Sequence, residues 1–345
     1  MRIELADVKA NLATYIMAII SAFAITAIII SMLGKDPVVA YSFLLHEGIG
    51  TVYGFSETLL KSVPLLFCGL GLSLAFTAKF WNIGAEGQLH MGAMASSWVG
   101  LALAGTNPFL AVALAVVASF VMGAAYASVP ALLKTKLRVN EVITTLLMNF
   151  VAIYFIGYLV SGPWKDPTAW ELWAPTLPDY LWLPKIIPRT RIHAGLLLAL
   201  ACVPLTYVYL EKSIVGYKAK VIGSNPSVAR YSGISIPKNI LFVALLSGGL
   251  AGLAGMSEIF GVQYRLMMGF SPGFGYTAIM VSWLGRNNPI GVLLVSIFFG
   301  FLINGGEAMQ RGAGVPVAVS NSLMGLILIF VLIFEVIIRR RMKIA

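Results

Sequence analysis

Charge is what this sequence has least of. Only 11% of its 345 residues are Asp, Glu, Lys or Arg, where a soluble domain carries about 25%, and that shortage excludes an ordinary water-soluble fold. Cysteine is nearly absent as well. Cys68 and Cys202 lie in apolar runs without CxxC spacing, so they read as buried thiols and support no disulfide, metal or redox site. The chain has no GxxxxGK[ST] phosphate-binding loop, which places ATP chemistry elsewhere. It also lacks any cluster of His, Asp or Cys with catalytic or metal spacing, which argues against a membrane enzyme.

Apolar sequence is abundant. Hydrophobic residues make up 59% of the chain and mean hydropathy is +0.88. Runs of roughly twenty residues recur from Leu12 to Ile338, each long enough to cross a hydrocarbon layer of about 30 Å. The pattern predicts an all-α fold: a polytopic transmembrane helical bundle forming one domain over residues 1–345. About ten spans are expected, at 12–33, 58–78, 85–105, 109–133, 140–160, 193–210, 238–260, 271–285, 289–305 and 315–338. The first run is longer than a signal-peptide core and has no small-residue cleavage site after it, so it reads as a retained span. Pro37 to Phe55 is interrupted by His46, Glu47, Gly48 and Gly50 and reads as interfacial. Ser271 to Gly285 is short and opens with Pro272, Gly273 and Gly275, as a broken or re-entrant helix would.

The net charge of +10 raises the question of nucleic acid or anionic lipid as partner, but its distribution speaks for topology. With both termini cytoplasmic, sixteen of the 24 Lys and Arg fall inside and eight outside, as the positive-inside rule requires. The inner set is Arg2, Lys9, Lys79, Lys134, Lys136, Arg138, the five from Lys212 to Lys238 in and beside the 211–237 connection, Arg286 and the Arg339–Lys343 tail. The outer connection, 161–192, holds Trp164, Trp170, Trp173, Tyr180 and Trp182, as expected of a loop lying against headgroups. Spans two to five and seven to ten run in opposite senses, a pattern compatible with an inverted repeat.

Three polar stretches stand out. In Gly223-Ser224-Asn225-Pro226-Ser227-Val228-Ala229-Arg230-Tyr231-Ser232-Gly233-Ile234, Asn225 is a favoured N-cap, Pro226 suits the first helical position and Gly233 can end the helix in a left-handed conformation. A helix this short needs a surface to rest on, either its own bundle or a soluble partner. In Asn82-Ile83-Gly84-Ala85-Glu86-Gly87-Gln88, polar and glycine residues interrupt two apolar runs, and such backbone must be buried in protein or line water. Glu86 is placed near the inner interface, in a capping or interhelical role. In Arg138-Val139-Asn140-Glu141, Asn140 caps the next span and Glu141 complements its dipole.

Those runs, together with Val139-Asn140-Glu141-Val142-Ile143-Thr144-Thr145 and Leu284-Gly285-Arg286 through Pro289-Ile290-Gly291, closely resemble the permeases of bacterial sugar and nucleoside ABC importers. The family belongs with the branched-chain amino acid permeases, and the Asn-Glu-Val-Ile-Thr-Thr run looks most like its nucleoside branch. The resemblance implies a multi-pass permease of the bacterial cytoplasmic membrane, with ATP and Mg on a separate cytoplasmic ATPase and no cofactor in this chain. It implies a second permease, commonly a different homologous chain, and an extracytoplasmic binding protein or lipoprotein. Membrane lipid is the remaining partner; nucleic acid is not one. Carried onto this sequence, Asn225, Pro226, Ala229, Arg230, Tyr231 and Gly233 become the coupling helix that docks on the ATPase, with Arg230 and Tyr231 as anchors.

For the solute path the candidates are polar residues within spans: Asn149 near mid-membrane, Thr145 one turn before it, and Asn304 and Asn321 toward the outer half. Each amide has the alternative of bonding a neighbouring helix. Simple sugars or riboflavin-like solutes are alternatives to nucleosides. The rival of another class is an ion-coupled secondary transporter, which needs titratable groups deep in the bundle. Here Glu57 and Lys61 form an i,i+4 pair near an outer end, Glu335 stands four before Arg339, Glu258 lies near an outer end and His90 is isolated, placements that favour interfacial pairing.

Overall fold

The computed structural model describes the backbone of residues 2–344 and the side chains of residues 13–338. The side chains of Arg2, Lys9 and the Arg339–Lys343 tail, which bear on the topology, and the Arg339 partner of Glu335 lie outside the described residues. Among the described residues the chain is helical, with two isolated β-bridges and no strand. The helices are α1 (Arg2–Met32), α2 (Pro37–Leu45), α3 (Val52–Thr77), α4 (Ala85–Ala102), α5 (Pro108–Leu137), α6 (Glu141–Ser161), α7 (Gly195–Lys212), α8 (Ile214–Ser224), α9 (Pro226–Tyr231), α10 (Ile236–Glu258), α11 (Phe274–Leu284), α12 (Pro289–Ala313) and α13 (Val317–Ile344).

Among the described residues, eight segments are long and apolar enough to cross a membrane: Ala13–Met32, Val52–Thr77, Pro108–Leu137, Glu141–Ser161, Gly195–Lys212, Ile236–Gln263, Pro289–Ala313 and Val317–Ile338. Two of the ten expected spans therefore differ in kind. Helix α4 carries Glu86, Gln88, His90, Ser96 and Ser97, all buried in the chain's own fold, so protein rather than lipid surrounds its polar groups. Helix α11 has eleven residues, about 16 Å of rise, roughly half the hydrocarbon thickness. The short 271–285 reading thus holds as a half-length helix preceded by irregular chain.

The chain divides into two compact units, one made of residues up to Lys61 and from Phe298 onward, the other of Ser62–Ile297. In the first, α1 lies along α13, and Ile30, Ala40, Leu44, Met309, Val315 and Val319 form a core. Asp36 caps α2 by accepting the Val38 N–H at 2.8 Å, and Pro37 fills its first position, where its missing N–H costs nothing. The segment read as interfacial is α2 followed by one π-helical turn, His46–Gly50. Asn304 closes that turn: its amide nitrogen donates to the Glu47 carbonyl at 2.8 Å and the Gly54 carbonyl at 3.0 Å. The Thr58 hydroxyl donates to the Gly48 carbonyl at 2.7 Å. Lys61, expected to pair with Glu57, sets its ammonium 2.7 Å from Glu307 on α12, and Arg311 joins the same carboxylate at 3.8 Å.

In the second unit α4, α5 and α10 pack with their backbones touching. Gly92 and Gly123 both face Gly252, and a Cβ on Gly123 would stand 2.9 Å from the Gly252 Cα. Close helix approach through small residues is how apolar helices associate without a hydrophobic drive between them. The aromatic connection 161–192, expected against headgroups, is also tied to its own fold. It is hydrogen-bonded to the irregular chain beyond α10, through Ala174 N–H to the Leu266 carbonyl, Leu177 N–H to Tyr264 and Leu183 N–H to Phe260, at 2.8 to 2.9 Å. Trp182 stacks on Tyr264 with ring centroids 3.9 Å apart, and Arg265 lies 4.6 Å over Trp173. Trp170 alone among these tryptophans is fully exposed.

Candidate translocation core and coupling surface

Two interruptions in the second unit build the core. The first separates α3 from α4 at residues 78–84, where Lys79 takes a left-handed conformation. Every exposed polar group of broken backbone needs a partner inside a membrane, and α6 supplies them. The Asn149 side-chain oxygen accepts the Gly87 N–H at 2.8 Å, and its nitrogen donates to the Ile83 carbonyl at 2.9 Å. The Thr145 hydroxyl accepts the Ile83 N–H at 3.1 Å while donating to the Glu141 carbonyl at 2.6 Å. Asn82 and Gln88 exchange two amide hydrogen bonds, both 2.9 Å, and Asn82 adds Ser247 of α10 at 3.0 Å.

The second interruption, residues 264–273, separates α10 from α11. Tyr264 and Gly273 adopt positive φ there, and the π-helical turn Ile259–Gln263 precedes them. Helix α11 then starts against the start of α4. The Gly275 N–H donates to the Glu86 carboxylate at 2.7 Å, and a Cβ on Gly275 would stand 2.5 Å from the Glu86 Cα. His90, one turn on, pairs its Nδ1 with the Glu86 carbonyl at 2.8 Å and holds its ring 4.7 Å from Phe270. The two broken helices thus meet N-terminus to N-terminus, with Glu86 placed where both helix dipoles favour negative charge.

Glu86 was expected in a capping or interhelical role, and its hydrogen bond to Gly275 joins α4 to α11. Its neighbour Gly87 meets Asn149, eight residues into α6 and so about 12 Å from the start of that helix. Glu141 also does more than complement a dipole. Its carboxylate pairs with Lys134 of α5 and accepts the Trp81 N–H at 3.5 Å, while Asn140 caps α6 through the Val142 N–H at 2.9 Å. Of the expected path residues, Thr145 and Asn149 belong to this unit and are brought to one place. Asn304 belongs to the other unit, where it fastens the π-turn, and Asn321 is exposed on α13.

The cap signals around α9 are realised. Asn225 accepts the Ser227 N–H at 2.9 Å and the Val228 N–H at 3.3 Å, Pro226 occupies the first turn, and Gly233 has φ +72. The Ile234 N–H returns to the Ala229 carbonyl at 2.9 Å. Ala229 is fully buried, so it seats the helix on its own fold and offers no contact to a partner. Val228 is half exposed and Tyr231 is 99% exposed, leaving an apolar edge outward. Sequence reading passed over Ser247 and Gly252; the signal available for the glycine was the small-residue spacing Gly248-x-x-x-Gly252 on an apolar helix, whereas Gly275 was marked as part of a broken helix but not as a partner of Glu86.

Comparison with known proteins gives the core a family. The family described as branched-chain amino acid transport system, permease component, matches residues 54–332. The glucose ABC transporter permease protein TsgB13 of Haloferax volcanii is 37% identical, covering 96% of this chain and 90% of its own. The guanosine ABC transporter permease protein NupP of Bacillus subtilis is 32% identical over 92% and 91%. The nucleoside ABC transporter permease protein NupB of Lactococcus lactis is 27% identical over 92% and 89%. No solved structure matches the chain. Eight membrane-crossing segments, a core of two broken helices and these relatives agree: the chain is a multi-pass membrane transport subunit without an enzymatic role, and it belongs to the branched-chain amino acid transport family of ABC permeases.

Proposed function

We propose that this chain is one permease of an ABC importer for nucleosides, acting as a single transmembrane domain with both termini cytoplasmic. The observation that carries the transport mechanism is the short path from α9 through the 232–235 turn and along α10 to the core. Helix α9 exposes Tyr231 and Val228 at its surface, turns at Gly233 into the 23-residue α10, and α10 runs past Ser247, bonded to Asn82, to the break that leads to Gly275 and Glu86. A displacement imposed on α9 by a docked ATPase reaches both interruptions through one stiff element. Packed helices shift between discrete arrangements rather than deforming continuously, so closure of the ATPase on ATP and Mg would switch the core between outward and inward access. Hydrolysis belongs to that separate subunit.

Relatives transporting guanosine and nucleosides support the nucleoside reading, together with the Asn140-Glu141-Val142-Ile143-Thr144-Thr145 run whose side chains hold the first interruption. Glucose is the second reading, favoured by the 37% identity to a glucose permease. Thr145 and Asn149 beside the break are the proposed path-adjacent groups. A second, homologous but different permease and an extracytoplasmic binding protein complete the assembly, with the exposed Trp170 on the loop available to the latter. The test is uptake of labelled nucleosides and glucose into vesicles holding the assembled transporter, with and without internal ATP. ATP-dependent accumulation competed by nucleosides supports the reading; competition by glucose alone selects the second, and uptake that follows an ion gradient without ATP refutes both.

A further inference from the structure

A cavity of about 620 Å³ opens between the end of α5 and the turn joining α9 to α10, and no carboxylate lines it. Three cations do: Lys134, Arg138 and Arg230, the last expected above to anchor the ATPase and here part of the cavity wall. Lys134 is spent on Glu141. Neither Arg138 nor Arg230 has a carboxylate partner among the described residues. Arg138 is held in a left-handed conformation at the end of α5 with φ +57. Two uncompensated guanidiniums on one concavity call for an anion with several acceptor oxygens, and phosphate matches the planar donor fork best.

The opposite wall is apolar, made of Ile236, Pro237 and Ile240 on the first turns of α10. A small free anion has no use for it. The cavity lies at the ends of two helices able to cross a membrane, beside Leu137 of α5 and Ile236 of α10; the 30 residues of α5 rise about 45 Å, the thickness of a bilayer with its headgroups. That is the level of lipid headgroups, where basic pockets between helices collect anionic lipid. We propose that this cavity binds the phosphate of an anionic phospholipid, with Arg138 and Arg230 on the headgroup and the acyl ester region against Ile236 and Ile240.

Such a lipid bridges the end of α5 to the last turn of α9. It braces α9 from behind while Tyr231 faces outward, so anionic lipid would set how firmly ATPase movement is passed to α10. This consequence rests on the reading of α9 as the ATPase contact; the lipid site does not.

The experiment titrates the purified assembled transporter in detergent with phosphatidylglycerol and with phosphatidylcholine, reading bound lipid by native mass spectrometry. Arg138→Gln should weaken phosphatidylglycerol binding about five-fold and the Arg138→Gln/Arg230→Gln pair about twenty-five-fold, with phosphatidylcholine unchanged. Millimolar inorganic phosphate should not displace the lipid. Equal phosphatidylglycerol binding by wild type and variants overturns the proposal. Displacement by inorganic phosphate reassigns the cavity to a free anion, and loss of the ATPase subunit from Arg138→Gln with lipid binding intact reassigns it to an acidic segment of that subunit; either result also overturns it. Tyr231→Ala tests the coupling role separately: retained ATPase association there, beside lipid selectivity lost in Arg138→Gln, would leave the lipid site standing and the coupling reading fallen.

Discussion

The Gly275 amide and the Glu86 carboxylate, 189 residues apart in sequence, are joined by a buried 2.7 Å hydrogen bond that ties the start of α11 to the start of α4. Glycine is required at 275 because its Cβ would collide with Glu86 backbone, not with a side chain that could turn away. Gly275→Ala should therefore push the two helix starts apart, at a cost of about 1–3 kcal/mol for overpacking. Uptake should fall at least ten-fold, with a lowered unfolding temperature in detergent; wild-type uptake would mean that this junction does not take part in transport.

Asn149→Leu removes both of that side chain's bonds to the first interruption and leaves the Gly87 N–H and Ile83 carbonyl unpaired. Each buried orphan costs about 1–3 kcal/mol. Transport should change while ATPase co-purification stays at the wild-type level, because Asn149 and α9 lie on different elements. An unchanged transport rate across substrate concentrations would remove Asn149 from the translocation core.

Tyr231→Ala deletes the most exposed aromatic of α9 without touching the buried Ala229 that seats it. A central aromatic anchor contributes about 2 kcal/mol or more to an interface, so ATPase association should weaken roughly thirty-fold and uptake should be lost while membrane insertion is unaffected. Co-purification at wild-type affinity would strip α9 of its coupling role.

His193, just before α7, is 1% exposed, packs on Gly261 of the π-turn and accepts the Gly195 N–H at 3.1 Å. Burial pushes its pKa down from 6.5 to about 4. The folded state thus binds fewer protons than the unfolded state between those values, and stability present above pH 6.5 is lost as pH falls toward 4. At its limit the loss is about 3 kcal/mol. Unfolding temperature should drop between pH 7 and pH 4.5 in wild type, and the drop should shrink in His193→Gln; equal pH dependence in both would refute the assignment.

Asn304→Leu should free the π-turn after α2 by removing its bonds to Glu47 and Gly54. Proteolysis or hydrogen exchange near His46–Gly50 should rise markedly, with the rest of the chain protected as before. Unaltered exchange there would show that Thr58 alone holds the turn.

What the sequence determined by itself was whatever depends on short range. Hydropathy over twenty residues marked the crossing segments, since each must be apolar over the thickness of the layer whether lipid or protein surrounds it. The Asn225, Pro226 and Gly233 signals marked both ends of α9, because caps are satisfied within four residues. The Asn82 to Gln88 run announced broken backbone for the same local reason. It did not say which groups would close that break, nor that α4 is wrapped in protein and α11 is only eleven residues long. Those outcomes turn on partners far along the chain: Asn149 and Thr145 reach back more than sixty residues to the first interruption, and Gly275 reaches Glu86 from the second. Only the tertiary structure decided them, because a buried polar group takes whichever partner the packed helices bring within about 3 Å, and no local pattern records which helix that will be.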